Sequence, residues 1–101
     1  MVGTFSTTTT PSVETGAGYV DVTTTSAIIL ASNTKRKYAL LVNDSDTIIY
    51  LGIGATAVVN RGIRLNSSGG SYEITSINLT KKAIYGIHGG AGNKRLTIIE
   101  G

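Results

Sequence analysis

The sequence predicts an all-β protein: a compact antiparallel β-sandwich, jelly-roll-like or immunoglobulin-like, with an extended N-terminal arm. Three observations predict it. From residue 19 onward, short β-branched runs alternate with clusters of Asn, Asp, Ser and Gly, the spacing of a sandwich or barrel. No stretch of ten or more residues shows helical periodicity with caps. The 101 residues make one domain, enough to bury about two-thirds of the surface that the unfolded chain exposes.

Residues 1–18, MVGTFSTTTTPSVETGAG, are Thr, Ser and Gly with one Pro. Such a segment has little to bury, and its threonines favour extended backbone. It is expected to lie along a neighbouring subunit or the chain's own sheet, with Phe5 and Val13 as its sizeable apolar anchors. The domain proper covers residues 19–101. Strands are expected at Tyr19–Thr24, Ala27–Leu30, Tyr38–Asn43, Thr47–Leu51, Ala57–Val59, Ile63–Leu65, Ser71–Thr75, Ala83–His88 and Lys94–Glu100. Turns fall at Asn33-Thr34, Asn43 to Asp46, Asn60 to Gly62, Asn66 to Gly70 and Gly89 to Asn93. Asn, Asp and Gly sit there because they tolerate left-handed dihedrals or fold back onto their own backbone. An immunoglobulin domain proper would carry a buried Trp and usually two Cys, and both are missing. The strand order is not readable from these runs.

The stretch LLVNDSDTIIYLGIG, Leu40 to Gly54, reads as a β-hairpin that is apolar on both sides. Tyr38, Leu40 and Val42 share one face of its first strand, and Ala39 and Leu41 the other. In the returning strand Ile48 and Tyr50 oppose Ile49 and Leu51. A half-exposed strand pair would alternate apolar and polar residues. A second face of this kind needs a cover, and a neighbouring subunit or the arm is expected to supply it. Ala39, Leu41, Ile49 and Leu51 are the expected oligomer-interface residues.

Composition narrows the function. Charged residues make up 15% of the chain, well below the usual quarter. A low-charge surface rich in Ser, Thr and Gly is normal for extracellular and virion proteins. Cysteine is absent, so there is no disulfide and no thiolate site. A net charge of +3 is not by itself a nucleic-acid signature, and no aromatic interleaves with the basic clusters. No apolar run approaches the roughly 20 residues of a membrane helix. No signal peptide is evident, and the chain is expected to be made in the host cytoplasm. The sequons at Asn43, Asn66 and Asn78 then read as chance in a Ser/Thr-rich chain.

The residues that could carry chemistry do not assemble into a motif. The lone histidine, His88, precedes Gly89-Gly90 and reads as a turn-capping side chain. A hydrolase needs nucleophile, base and orienting acid, and Gly-x-Ser-x-Gly does not occur. Asp44 and Asp46 lack the Gly and distal Glu of a calcium loop and read as a plain turn. Gly52 to Ala57 matches G-x-G-x-x-A, but a strand and a turn follow where that motif requires a helix. Gly89 to Lys94 lacks the Gly-Lys-Ser/Thr ending of a phosphate loop and reads as a hairpin loop. No catalytic residue, cofactor, metal or small-molecule substrate is expected.

The run Asn33-Thr34-Lys35-Arg36-Lys37-Tyr38-Ala39-Leu40-Leu41-Val42-Asn43-Asp44-Ser45-Asp46 resembles a pattern in small tailed-phage structural proteins. There a basic residue opens a strand, the strand closes on Asn, and a Ser/Asp turn leads to Ile-Tyr-Leu-Gly. Asn60 to Leu65, Gly69 to Ile74, Ala83 to Ile87 and Lys94 to Glu100 follow in similar order, so the likeness spans about residues 20–101. It looks like the β-sandwich domain of capsid decoration proteins, head fibres and minor virion proteins. The resemblance implies a non-enzymatic virion component on the capsid surface, a homo-oligomer and often a trimer. Its partner would be the major capsid protein or another virion protein, with no nucleic acid and no membrane. Lys35, Arg36, Lys37, Arg61 and Arg64 would meet an acidic capsid surface, with Phe5 and Val13 on the arm. The competing expectation is a carbohydrate- or receptor-binding module of a phage fibre, using Tyr19, Tyr72 and Tyr85.

Overall fold

The structure, a computed structural model, describes residues 18–101. Eight strands follow one another: β1 (Gly18–Val22), β2 (Ala27–Leu30), β3 (Ala39–Asn43), β4 (Ile49–Ile53), β5 (Ile63–Leu65), β6 (Ser71–Ile74), β7 (Ile84–His88) and β8 (Lys94–Glu100). No helix forms among the described residues. Period-two alternation explains most strands. In β3 and β7 the first, third and fifth residues are buried and the others half-buried, as a pleated strand between core and solvent requires. β2 breaks the pattern, with Ile29 and Leu30 both buried. A register shift against β7 between Ile28 and Leu30 accounts for it, because a bulge turns two successive side chains to one side.

The strands make two antiparallel four-stranded sheets, β1-β8-β3-β6 and β2-β7-β4-β5. The order follows from one long folded ribbon. Its pairs are β1 with β8, β2 with β7, β3 with β6 and β4 with β5, and its tip is the 54–62 connection. Wrapping the ribbon adds β3 beside β8 and β4 beside β7, which closes both sheets. This winding is that of a jelly roll. Val22, Ile29, Leu30, Ala39, Leu41, Ile49, Leu51, Leu65, Ile74, Ile84 and Leu96 fill the space between the sheets. Completing the sandwich thus aligns apolar residues from all eight strands.

The hairpin expected at Leu40–Gly54 does not form. β3 and β4 belong to opposite sheets, and the 44–48 segment is an arch from one to the other. Asn43 holds the corner: its Nδ2 donates to the carbonyls of Thr47 at 2.8 Å and Leu65 at 3.0 Å, and its Oδ1 accepts from Ser45 Oγ at 2.6 Å. The expected interface set is corrected with it. Ala39, Leu41, Ile49 and Leu51 point at each other across the sandwich and are sealed in its core, so they offer no surface to a second copy.

The strand expected at Ala57–Val59 is also absent. These residues cross the outer face of the second sheet. Ala57 is buried there, its N–H donating to Ser26 Oγ, and Val59 lies near Gly89. Tyr50, on the outward side of β4, is covered, and its hydroxyl donates to Oδ1 of Asn60, which sits in the left-handed region. Gly52 permits this close approach, because a Cβ there would stand 2.7 Å from the Ala55 carbonyl oxygen. β4 is therefore roofed by its own chain, while Ile28 on β2 stays 52% exposed.

Candidate functional site

The first sheet has no such roof among the described residues. Its outward side chains are Tyr19 and Asp21 from β1, Arg95, Thr97 and Ile99 from β8, Leu40 and Val42 from β3, and Ser71 and Glu73 from β6. Register sets Leu40 beside Ile99, and Val42 beside Thr97, which in turn lies beside Tyr19. Leu40 and Val42 are half-buried, whereas Ile99 is 36% and Tyr19 59% exposed. An apolar stripe thus runs over three neighbouring strands. Arg95 lies over the Tyr19 ring, 4.1 Å from its centroid. Glu73 at the far edge accepts from the Tyr38 hydroxyl at 2.8 Å. That hydrogen bond, then burial, then the Glu73 charge, hold the Tyr38 phenol above its ordinary pKa.

One end of the sandwich carries the connections 31–38, 54–62 and 75–83. Arg36 crosses it completely buried. Its Nε meets Glu100 Oε2 at 2.8 Å, Nη1 donates to the carbonyls of Thr80 and Lys82, and Nη2 donates to that of Ala31. The Asn33 N–H donates to the Lys81 carbonyl. Two loops are thereby sewn together, and Lys35, Lys37, Lys81 and Lys82 stand exposed on them. The 75–78 turn beside them is locked by Asn78. Its Oδ1 accepts from Thr75 N at 2.7 Å and its Nδ2 donates to the Glu73 carbonyl at 2.9 Å. Ile77, at the tip of that turn, is 95% exposed, and Leu79 40%.

The basic residues expected to form one partner contact do not form one patch. Lys35 and Lys37 are exposed at this end. Arg36, between them, points inward and is consumed by its internal bonds, so it is withdrawn from that contact. Arg61 lies in the 54–62 connection, and Arg64 on the outer face of the second sheet, where its Nε donates to Asn66 Oδ1. Phe5 and Val13, and the arm apart from Gly18, lie outside the described residues. Lys81, Lys82, Ile77 and Leu79 are the additions that sequence reasoning missed. The pair Lys81-Lys82 was visible in the chain, but nothing local brings it beside Lys35 and Lys37.

The opposite end carries connections 23–26, 44–48, 66–70 and 89–93. Asp44, Ser45, Asp46, Ser68 and Gly69 line an open hollow of about 420 Å³ there. Asp46 meets Lys94 Nζ at 2.8 Å. That hydrogen bond, with one from Thr47 and the Lys94 charge, holds its carboxyl below the ordinary value. His88 caps the neighbouring turn: Nδ1 accepts from Gly90 N–H at 3.0 Å, which leaves the proton on Nε2 to donate to the Gly92 carbonyl at 2.7 Å. Both ring nitrogens are engaged in the fold. Among the described residues no three His, Cys, Asp or Glu cluster as metal ligands.

Of the tyrosines expected for a sugar platform, Tyr19 is exposed, and Tyr72 and Tyr85 are half-buried. Comparison with protein families, with curated proteins and with solved structures returns no match.

Proposed function

We propose that the chain is a non-enzymatic structural protein of a phage virion, self-associating and decorating or cementing the capsid through many identical contacts. One observation carries the reading. The chain's own 54–62 connection covers β4 in the second sheet, while among the described residues no connection lies over Leu40, Val42, Ile99 and Tyr19 on the first. Such a stripe is an association surface, because its burial removes apolar area from water at about 25 cal/mol per Å². The resemblance of residues 20–101 to tailed-phage structural proteins supports the same reading, as does the jelly roll, an architecture that viral capsid domains share. An oligomer, expected to be a trimer, would bind a repeating lattice with avidity well above that of one site.

Ultracentrifugation at micromolar concentration tests it. The wild type should sediment as an oligomer, and Leu40→Glu with Ile99→Lys should give a monomer with an unchanged β-sheet spectrum. A monomer at every concentration, indifferent to phage shells, would overturn the reading. Deletion of residues 1–17 should weaken shell binding while the sandwich stays folded.

A second reading, a carbohydrate- or receptor-binding module of a phage fibre, has one observation in its favour: the 59% exposure of the Tyr19 ring. Arg95 already occupies one face of that ring. Specific binding on a glycan array, lost in Tyr19→Ala, would favour it over cementing.

A further inference from the structure

We infer that the end bearing the 31–38 and 75–83 connections is the shell-facing end, with Ile77 as an apolar knob that enters a carboxylate-rimmed hole in a shell protein. The inference rests on the virion reading and names the surface and the chemistry of its partner.

Exposure of one isoleucine decides nothing, since single apolar residues on surfaces are ordinary. The setting of Ile77 is different. It is the most exposed large apolar side chain among the described residues, and the turn beneath it is tied down by hydrogen bonds. Asn78 ties that turn to Thr75 and to β6, and Ile77 N–H itself donates to Thr75 Oγ1 at 3.3 Å. Holding the knob out before contact removes most of the ordering cost of binding.

Charge then selects the partner. Lys35, Lys37, Lys81 and Lys82 are exposed on the two loops of this end and make no ion pair with any described residue. Glu100, at the same end, is already paired with Arg36 and bonded by Asn33. Arg36 fixes the two loops to each other, so the backbone beneath these cations is held together. Four cations on the end that carries this apolar point complement carboxylates beside an apolar hole, and the charges set approach and register. A lipid surface is a poorer match. Membrane-surface binding uses a broad apolar face, whereas here one side chain stands fully clear and a second only partly.

The test uses the full-length chain, fluorescently labelled, and purified shells of the encoding phage prepared without this protein. Ile77→Ser should weaken shell binding about tenfold or more at unchanged thermal stability. Lys81→Glu with Lys82→Glu should weaken it further and flatten its salt dependence. Ala91→Glu, a charge change at the opposite end, should bind as the wild type does. If the wild type binds shells and the Ile77 and lysine variants bind equally well, this inference falls while the virion reading stands. If the wild type binds no shell, the virion reading falls and takes the inference with it. Binding to phosphatidylserine vesicles as tightly as to shells would overturn the protein partner in favour of a membrane.

Discussion

Arg36 donates four hydrogen bonds from a fully buried guanidinium, three to carbonyls and one to Glu100. Removing it leaves three carbonyls and a carboxylate without their donor at a part-buried site. Arg36→Met should therefore cost about 3–5 kcal/mol in urea denaturation. Arg36→Lys should recover only part of that, because an ammonium cannot reproduce the guanidinium fork. An unshifted midpoint in Arg36→Met would show that this end is held by something else. Asn43→Ala should cost about 2 kcal/mol by the same measurement, since it leaves the Leu65 and Thr47 carbonyls without their donor.

Two groups should reveal themselves by titration. Asp46 is held below its ordinary value, so its small contribution to stability is present above the usual carboxylate range and is lost as pH falls through its lowered pKa. Tyr38 is held above its ordinary value, so its contribution is present below the usual phenol range and is lost as pH rises through the raised one. Lys94→Ala and Glu73→Gln should return the two toward ordinary values in side-chain NMR titrations. Retention of either shift would disprove the partner assigned to it. Arg36 also shows what a residue-level reading overlooked. Lys35-Arg36-Lys37 reads as one basic contact surface, yet the middle side chain turns inward from the 31–38 connection to Glu100 and to the Thr80, Lys82 and Ala31 carbonyls.

At the scale of elements, most strands were legible because each needs only a short β-branched run and a turn. Ile63–Leu65 and Lys94–Glu100 stand where the sequence places them. Ala57-Val58-Val59 is the same kind of run, but its backbone lies across a sheet and pairs with no strand, a distinction that composition does not encode. The Leu40–Gly54 error has a similar origin: a hairpin and an arch between sheets share the same flanking strands and turn residues. The arch is betrayed by Asn43, a buried amide at a strand end that donates to Leu65 in the opposite sheet and to Thr47 in the arch itself. The roof over β4 is itself testable. Gly52→Val puts a side chain into the Ala55 carbonyl and the Ala57 backbone, and should cost about 1–3 kcal/mol. Limited proteolysis should then cut within 54–62, which stays resistant in the wild type. Equal resistance in both proteins would mean that the segment is not held down by this contact.

For the whole molecule, the ribbon fixes the cost of folding. Only β4 and β5 pair through a short connection. Each further pair joins residues more distant in sequence, ending with Gly18 against Ile98. Loops of that length must close before their contacts compensate, so refolding of the isolated protomer should take milliseconds to seconds in stopped-flow experiments. A phase in microseconds would contradict the non-local pairing.

The place of β8 has a consequence for synthesis. It is the last of the eight described strands to be translated, yet it lies inside its sheet, flanked by β1 and β3. Until the ribosome releases it, β1 lacks its partner among the described strands and β3 keeps a bare edge. Deletion of Lys94–Glu100 should therefore yield aggregates and no soluble, shortened sandwich.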